Sequence, residues 1–192
     1  GPAGARNTSI KHAQGRFIAF LDSDDKWLDF HLKERITHLI KNDYSFTYSW
    51  YEKHNESGKK IGEHKPISPK VSYDDLLTDC VIGCLTAIYD TNTLGKVYMP
   101  NLRKRQDFAL WLQILKKPVD AWLYPKITAL YTIRNNSISS NKLKTAGYTW
   151  RLFREVEKLS LVKSVYYFIH YAIRAVLRSK FPKLAVKLGV LQ

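Results

Sequence analysis

Arg16-Phe17-Ile18-Ala19-Phe20-Leu21-Asp22-Ser23-Asp24-Asp25-Lys26-Trp27 is the stretch that decides the fold class. Its apolar run, entered after the break at Gly15, has the pattern of a strand buried on both faces in a mostly parallel sheet. The run stops at three carboxylates within four residues. These repel one another, so a fold that holds them together at a strand end usually neutralises them with a cation, and hard oxygen donors favour Mg²⁺ or Mn²⁺. The carboxyl ends of strands are also where open α/β sheets bind ligands. The plainer reading is that Asp24 or Asp25 caps a helix beginning near Trp27, which needs one carboxylate and not three. An EF-hand is excluded, because Trp27 stands where that loop needs Gly and Lys33 where it needs Glu.

Outward from this stretch, Leu28, Leu32, Ile36, Leu39 and Ile40 share one side of a helical pattern, with Lys33, Glu34 and Lys41 opposite. Tyr44, Phe46, Tyr48 and Trp50 alternate with Ser45, Thr47 and Ser49, which predicts a second strand over 44–51. Residues 52–70, polar and broken by Gly58, Gly62, Pro66 and Pro69, read as a loop or excursion. A short helix near 74–78 and a strand within 81–89 follow. Asp107 opens a helix in which Phe108, Trp111, Leu112 and Leu115 fall at i, i+3, i+4 and i+7, and Pro118 ends it. Strand-like pieces at 121–124 and 127–133 complete an α/β domain over residues 1–141.

The chain has 192 residues, 45% hydrophobic and 25% charged, which excludes disorder, and its net charge of +14 calls for an anionic partner. Residues 142–192 carry eleven Lys and Arg against only Glu155 and Glu157, so this basic helical tail holds most of the excess. On a helical wheel Leu161, Val165, Phe168, Ile169, Ala172 and Val176 lie opposite Lys163, His170, Arg174 and Arg178. Packing of the apolar side on the domain is the first reading and anionic lipid the second. Nucleic acid comes last and is not an expected partner, because no binding motif accompanies the charge. Cys80 and Cys84 form neither a redox pair nor half a zinc site, and the six histidines show no metal-ligand spacing. With no signal-peptide pattern and no membrane-length apolar run, the expected location is cytoplasmic, with peripheral contact at the inner membrane face left open by the tail.

Gly4-Ala5-Arg6-Asn7, Ala13-x-Gly15 and the quoted stretch through Trp27 together resemble the middle of a family 2 glycosyltransferase with the GT-A fold, a mixed Rossmann-like sheet flanked by helices. The resemblance implies that Asp22 contacts the nucleoside side of a nucleotide-sugar, that Asp24 binds the Mn²⁺ or Mg²⁺ bridging its diphosphate, that Asp25 supports them, and that Arg6 lies near the nucleotide. Arg105-Gln106-Asp107-Phe108-x-x-Trp111 is similar to a second landmark of the family, with Gln106 in place of the usual Glu. It implies that Asp107 is the general base for the acceptor hydroxyl, with Gln106 and Trp111 in support. From the residues alone, a helix-capping Asp107 with Trp111 in the core is the stronger reading, and the resemblance reverses that order.

Tyr131-Thr-Ile-Arg134-Asn-Asn-Ser137-Ile-Ser139 resembles a third landmark, a turn that closes over the diphosphate through Arg134, Ser137 and Ser139. Arg134 stands where His is frequent; it can clamp phosphate but cannot ligate a metal. Cys84-Leu85-Thr86 lies where the family places acceptor-side residues. The implied activity is inverting transfer from a nucleotide-diphosphate sugar, a UDP-sugar favoured, to a saccharide or lipid-linked hydroxyl in bacterial surface polysaccharide or glycolipid synthesis. The resemblance spans nearly all of residues 4–140 and matches only the C-terminal part of the family domain. Three alternatives stand beside it. One is a phosphotransferase or phosphatase, which would want Gly-Thr where Asp25-Lys26-Trp27 stands. The others are a non-catalytic basic module for lipid or nucleic acid, and an inactive glycosyltransferase fragment.

Overall fold

The structure, a computed structural model, describes residues 1–134 and 142–181. Two long strands form its axis: β3 (Phe46–Asn55) and β7 (Ala121–Ile133) run parallel from Thr47 opposite Trp122 to Asn55 opposite Ile133. Around them a mixed sheet is laid in the order β1 (Phe17–Ala19), β6 (Ile88–Asp90), β3, β7, β2 (Lys26–Trp27), with β4 (Lys60–His64) on β3 and β5 (Lys70–Val71) on β7. Helices α1 (Pro2–His12), α2 (His31–Lys41), α3 (Tyr73–Thr78), α4 (Thr91–Leu94) and α5 (Gln106–Leu115) accompany the sheet, and α6 (Lys142–Arg151) and α7 (Leu161–Lys180) follow, α7 packing on α3 and α6.

The core forms where α5 meets the sheet. Phe108, Ala109, Leu110, Trp111, Leu112 and Ile114 are fully buried, and the Trp111 ring meets Phe20 edge-on at 5.6 Å and Phe46 at 5.3 Å. Trp111, taken from the sequence as a supporting site residue, is thus a core side chain, and its indole N–H has no partner. Arg35 on α2 is also fully buried, donating to the Thr86 carbonyl at 2.9 Å and to Thr47 Oγ1 at 2.7 Å. Burial lowers its pKa to about 9. His31 opens the same helix, stacks on Trp27 at 4.6 Å, and bonds Thr128 Oγ1 through Nδ1 at 2.8 Å.

Several expectations are corrected. β1 is the end strand of the order, antiparallel to β6, and of its three residues only Ile18 is buried. The apolar run continues past the strand because Phe20 turns into the core, leaving Leu21 exposed. The helix after the acidic cluster starts at His31, not near Trp27, since Lys26 and Trp27 first pair with Leu130 and Ala129 of β7. Neither Asp24 nor Asp25 caps it. The loop expected over 52–70 contains a hairpin, β3 to β4, turning at Gly58 with φ of +80°. Charged pairs such as Lys60 with Glu52 replace the apolar alternation that would have betrayed it. The two strand pieces at 121–124 and 127–133 are one strand; Pro125 and Lys126 are accommodated at a register shift, where a proline in a sheet costs least. The strand sought in 81–89 divides into one tight turn, Cys84–Thr86, and the short β6. Helix α1 went unforeseen because only Ala3 and Ile10 of it are buried.

After α6 the chain passes a π-type turn at Leu152–Val156 that buries Leu152 and Phe153 in the shared core. Glu157 is then buried, accepting from the Tyr73 hydroxyl and pairing with Lys116 at 2.9 Å. Helix α7 rests on the domain through Tyr167, whose hydroxyl donates to Asp74 at 2.6 Å, and through Phe168, edge-on to Trp150 at 5.5 Å.

Replacing Trp111 by Ala should lower unfolding free energy in urea melts by about 3–5 kcal/mol, as for other buried large aromatics. Burial lowers the His31 pKa from 6.5 to about 4. The unfolded chain therefore takes up this proton first, so the stability that neutral His31 contributes is complete above pH 6.5 and is lost as pH falls toward 4. Urea melts of His31→Gln should show a shallower loss across that window than the parent.

Candidate active site

Each carboxylate of the acidic turn has its own partner, one from α1 and two from the end of β7. Arg6, projecting from α1, pairs with Asp22. Arg134, just beyond β7, places Nε 3.0 Å from Asp24. The Thr132 backbone N–H donates to Asp25 at 2.9 Å, and the Thr132 hydroxyl donates to the Asp24 carbonyl at 2.5 Å. Asp25 is nearly inaccessible, and burial, followed by the neighbouring charges of Asp24 and Asp22, raises its pKa to about 6 against the opposing pull of Thr132 and Arg134. Asp22 and Asp24 stay partly open to solvent, with side chains 42% and 30% exposed.

Asp107 reaches the same neighbourhood from α5. That helix starts behind Arg105, which adopts a left-handed conformation with φ of +65°, and Asp107 sits in its first turn with Oδ1 2.8 Å from the Phe108 N–H. The helix is not capped by a side chain; its N-cap is Arg105. Burial opposes the charge on Arg6, but Cys84, Asp22 and Asp107 together outweigh it and raise the guanidinium's pKa. For the Cys84 thiol, burial and then Asp107 push the pKa well up, with Asp22 and Asp25 adding and Arg6 opposing. Arg6, Asp22, Cys84 and Asp107 therefore share one electrostatic environment although they come from distant parts of the chain.

Three supports were missed in the sequence. Asn7 brackets Met99, donating to its carbonyl and accepting from its N–H, both at 2.8 Å, which ties α1 to the segment leading into α5. The Trp27 indole donates to the Leu85 carbonyl at 2.7 Å and so holds the Cys84–Thr86 turn. A β-carbon on Gly83 would stand 2.7 Å from the Tyr51 ring, so only glycine lets that turn approach β3. Trp27 closed the quoted stretch, but nothing in its identity named its partner; Thr132 and Tyr51 carried no signal at all.

Gln106 is buried at the head of α5. Ser137 and Ser139 lie outside the described residues. Among the described residues no three His, Cys, Asp or Glu side chains gather as a complete metal-ligand set. A partly open aspartate suits the other way of holding Mg²⁺ or Mn²⁺, in which one or two carboxylates act with substrate phosphates and water. By this test Asp24 fits such an ion.

The model of glycosyl transferase family 2 matches residues 1–179. TuaG of Bacillus subtilis, a glycosyltransferase named for teichuronic acid biosynthesis, is 40% identical over 176 residues, which make up 92% of this chain and 70% of that protein. WfgD of Escherichia coli, a UDP-Glc:α-D-GlcNAc-diphosphoundecaprenol β-1,3-glucosyltransferase, is 39% identical over 183 residues, 94% of this chain and 70% of that protein. The crystal structure of S. aureus TarS 1-349 in complex with UDP-GlcNAc has the same fold, with a TM-score of 0.64 at 19% identity over 93% of this chain and 54% of that one. The chain thus spans about half the length of that solved structure.

Burial pushes the Cys80 thiol up to about 12 and Cys84 well above its ordinary value, so both are neutral thiols at neutral pH. A thiol-reactive dye should label neither cysteine quickly in the native protein at pH 8, and both after unfolding in guanidinium.

Proposed function

The chain belongs to glycosyl transferase family 2, and on that premise we propose that it takes part in sugar transfer from a nucleotide-diphosphate sugar, a UDP-sugar favoured, to a hydroxyl of a saccharide or lipid-linked acceptor, with inversion at the anomeric carbon. The observation that carries this reading is the convergence of Arg6 on Asp22 and of Arg134 on Asp24 at one acidic turn, with Asp107 close enough to act on the Arg6 charge. A helix cap or a solvated acidic turn has no need of that convergence. The relatives' names support the substrate classes: WfgD is named for UDP-Glc and a diphosphoundecaprenol-linked acceptor, and TarS is described with UDP-GlcNAc. Bacterial surface polysaccharide or glycolipid synthesis is the setting these names favour.

In the reaction an oxygen–carbon bond forms between the acceptor hydroxyl and the anomeric carbon while the bond from that carbon to the diphosphate oxygen breaks. Asp107 takes the hydroxyl proton as the new bond forms, because a neutral hydroxyl is a weak nucleophile. Arg6 and Asp22 orient the nucleoside end of the donor. Arg134 supplies a permanently charged, planar donor for the departing phosphate oxygens. Asp24 would hold Mn²⁺ or Mg²⁺, which supplies charge neutralisation for the leaving diphosphate. Asp25, held by Thr132 behind the exposed pair, keeps the turn in shape. Ser137 and Ser139 complete the diphosphate side in this reading, and Gln106 fixes the head of α5 behind Asp107.

Two substitutions separate the roles. Asp107→Asn should leave UDP affinity within about twofold by calorimetry while lowering transfer at least about a hundredfold, the usual range for loss of a general base. Asp24→Ala should abolish the Mn²⁺-dependent part of UDP binding. Unaltered transfer in Asp107→Asn, or metal-independent UDP binding in the parent, would overturn the assignment.

A further inference from the structure

Helix α7 carries more apolar surface than its packing uses. Toward the domain it sends Ser164, Tyr167, Phe168 and Tyr171, with the Tyr171 ring 5.2 Å from the Arg105 guanidinium. On the side facing away, Val162, Val165, Tyr166, Ile169, Ile173 and Val176 form a continuous stripe at helical spacing, and each is between 41% and 80% exposed. The apolar face read from the sequence is thus divided: Phe168 packs, while Val165, Ile169 and Val176 face solvent. Six large apolar side chains in one unbroken stripe are not ordinary soluble surface. At about 100° per residue, Lys163, His170 and Arg174 line one border of the stripe.

The composition of the helix selects the occupant. Residues 161–180 contain Lys163, Arg174, Arg178 and Lys180 and no Asp or Glu. A second copy docked stripe to stripe would bring two sets of these cations together with no acidic side chain on either helix to answer them. A nucleic acid would leave the apolar stripe wet. No helix among the described residues is long and apolar enough to cross a membrane. A cationic border beside an apolar stripe matches the headgroup boundary of an anionic bilayer, with the helix lying in the plane. We propose that α7 docks the protein on an anionic lipid surface through the stripe from Val162 to Val176, with Lys163 and Arg174 on the headgroups. This goes beyond the transfer reaction and stands on α7 alone.

Flotation with phosphatidylcholine vesicles, with and without phosphatidylglycerol, tests it. The protein should float with the anionic vesicles and remain behind with the neutral ones. Val162→Ser/Ile169→Ser/Ile173→Ser and, separately, Lys163→Glu/Arg174→Glu should each weaken anionic-vesicle binding about tenfold or more. Both variants should keep the parent's UDP affinity and melting temperature, so that loss of folding or of the nucleotide site is read apart from loss of the surface. Absence of vesicle binding, or binding that neither variant weakens, overturns the proposal. So does a dimer in sedimentation that the serine variant alone dissolves, which would assign the stripe to a second copy.

Discussion

Three carboxylates within four residues repel one another at the end of a strand, and this chain gives each a partner, from two sides of the fold. Arg6 comes from the first helix, the Thr132 N–H from the far end of β7, and Arg134 from just beyond it. These partners tie α1 and the end of β7 together at the acidic turn. β2 is only two residues long, but it lies against β7 and so brings the acidic turn beside Thr132. The same β7 runs parallel to β3, whose Thr47 receives Arg35 and whose Tyr51 faces Gly83. Without the central strand pair the carboxylates of the turn would have no fixed partners.

The neighbouring Cys84–Thr86 turn is built with less charge and tighter contact. The Cys84–Thr86 turn is held from three sides, by the Trp27 indole at Leu85, by Arg35 at Thr86, and by the bare backbone of Gly83 against Tyr51. Burying Arg35 costs solvation, which its depressed pKa reflects; two hydrogen bonds and the Tyr124 ring 5.8 Å away offset only part of that cost, since its Nε has no partner. A turn pinned in this way holds a set distance from Asp107.

Helix α5 was readable because a buried helix repeats its apolar positions at 3.6 residues, and the long strand β7 was readable only in pieces because Pro125 and a second register shift near Thr128 break its alternation. The β3–β4 hairpin was not readable, since its pairing is carried by Lys60, Glu52 and Glu63, whose pattern on paper is that of a solvated loop. The helix start was misplaced because a two-residue strand has no periodicity to detect. Of the site, Asp22, Asp24, Asp25 and Asp107 stood out as residue types in motifs, whereas Asn7, Thr132 and Trp27 act through backbone groups that sequence does not locate. The wheel also told that α7 has an apolar face but not which part of it the domain would cover.

Glu157 lies four residues before α7, and it is clamped between Tyr73 and Lys116. Lys116 closes α5, the helix that carries Asp107, so the root of the tail and the far end of α5 are one joint. A tail hung from a slack linker would let the enzyme tumble at any angle beneath its attachment. One bolted at this joint, and steadied further by Tyr167 on Asp74, gives the mouth of the site a fixed bearing relative to whatever plane the outer stripe rests upon.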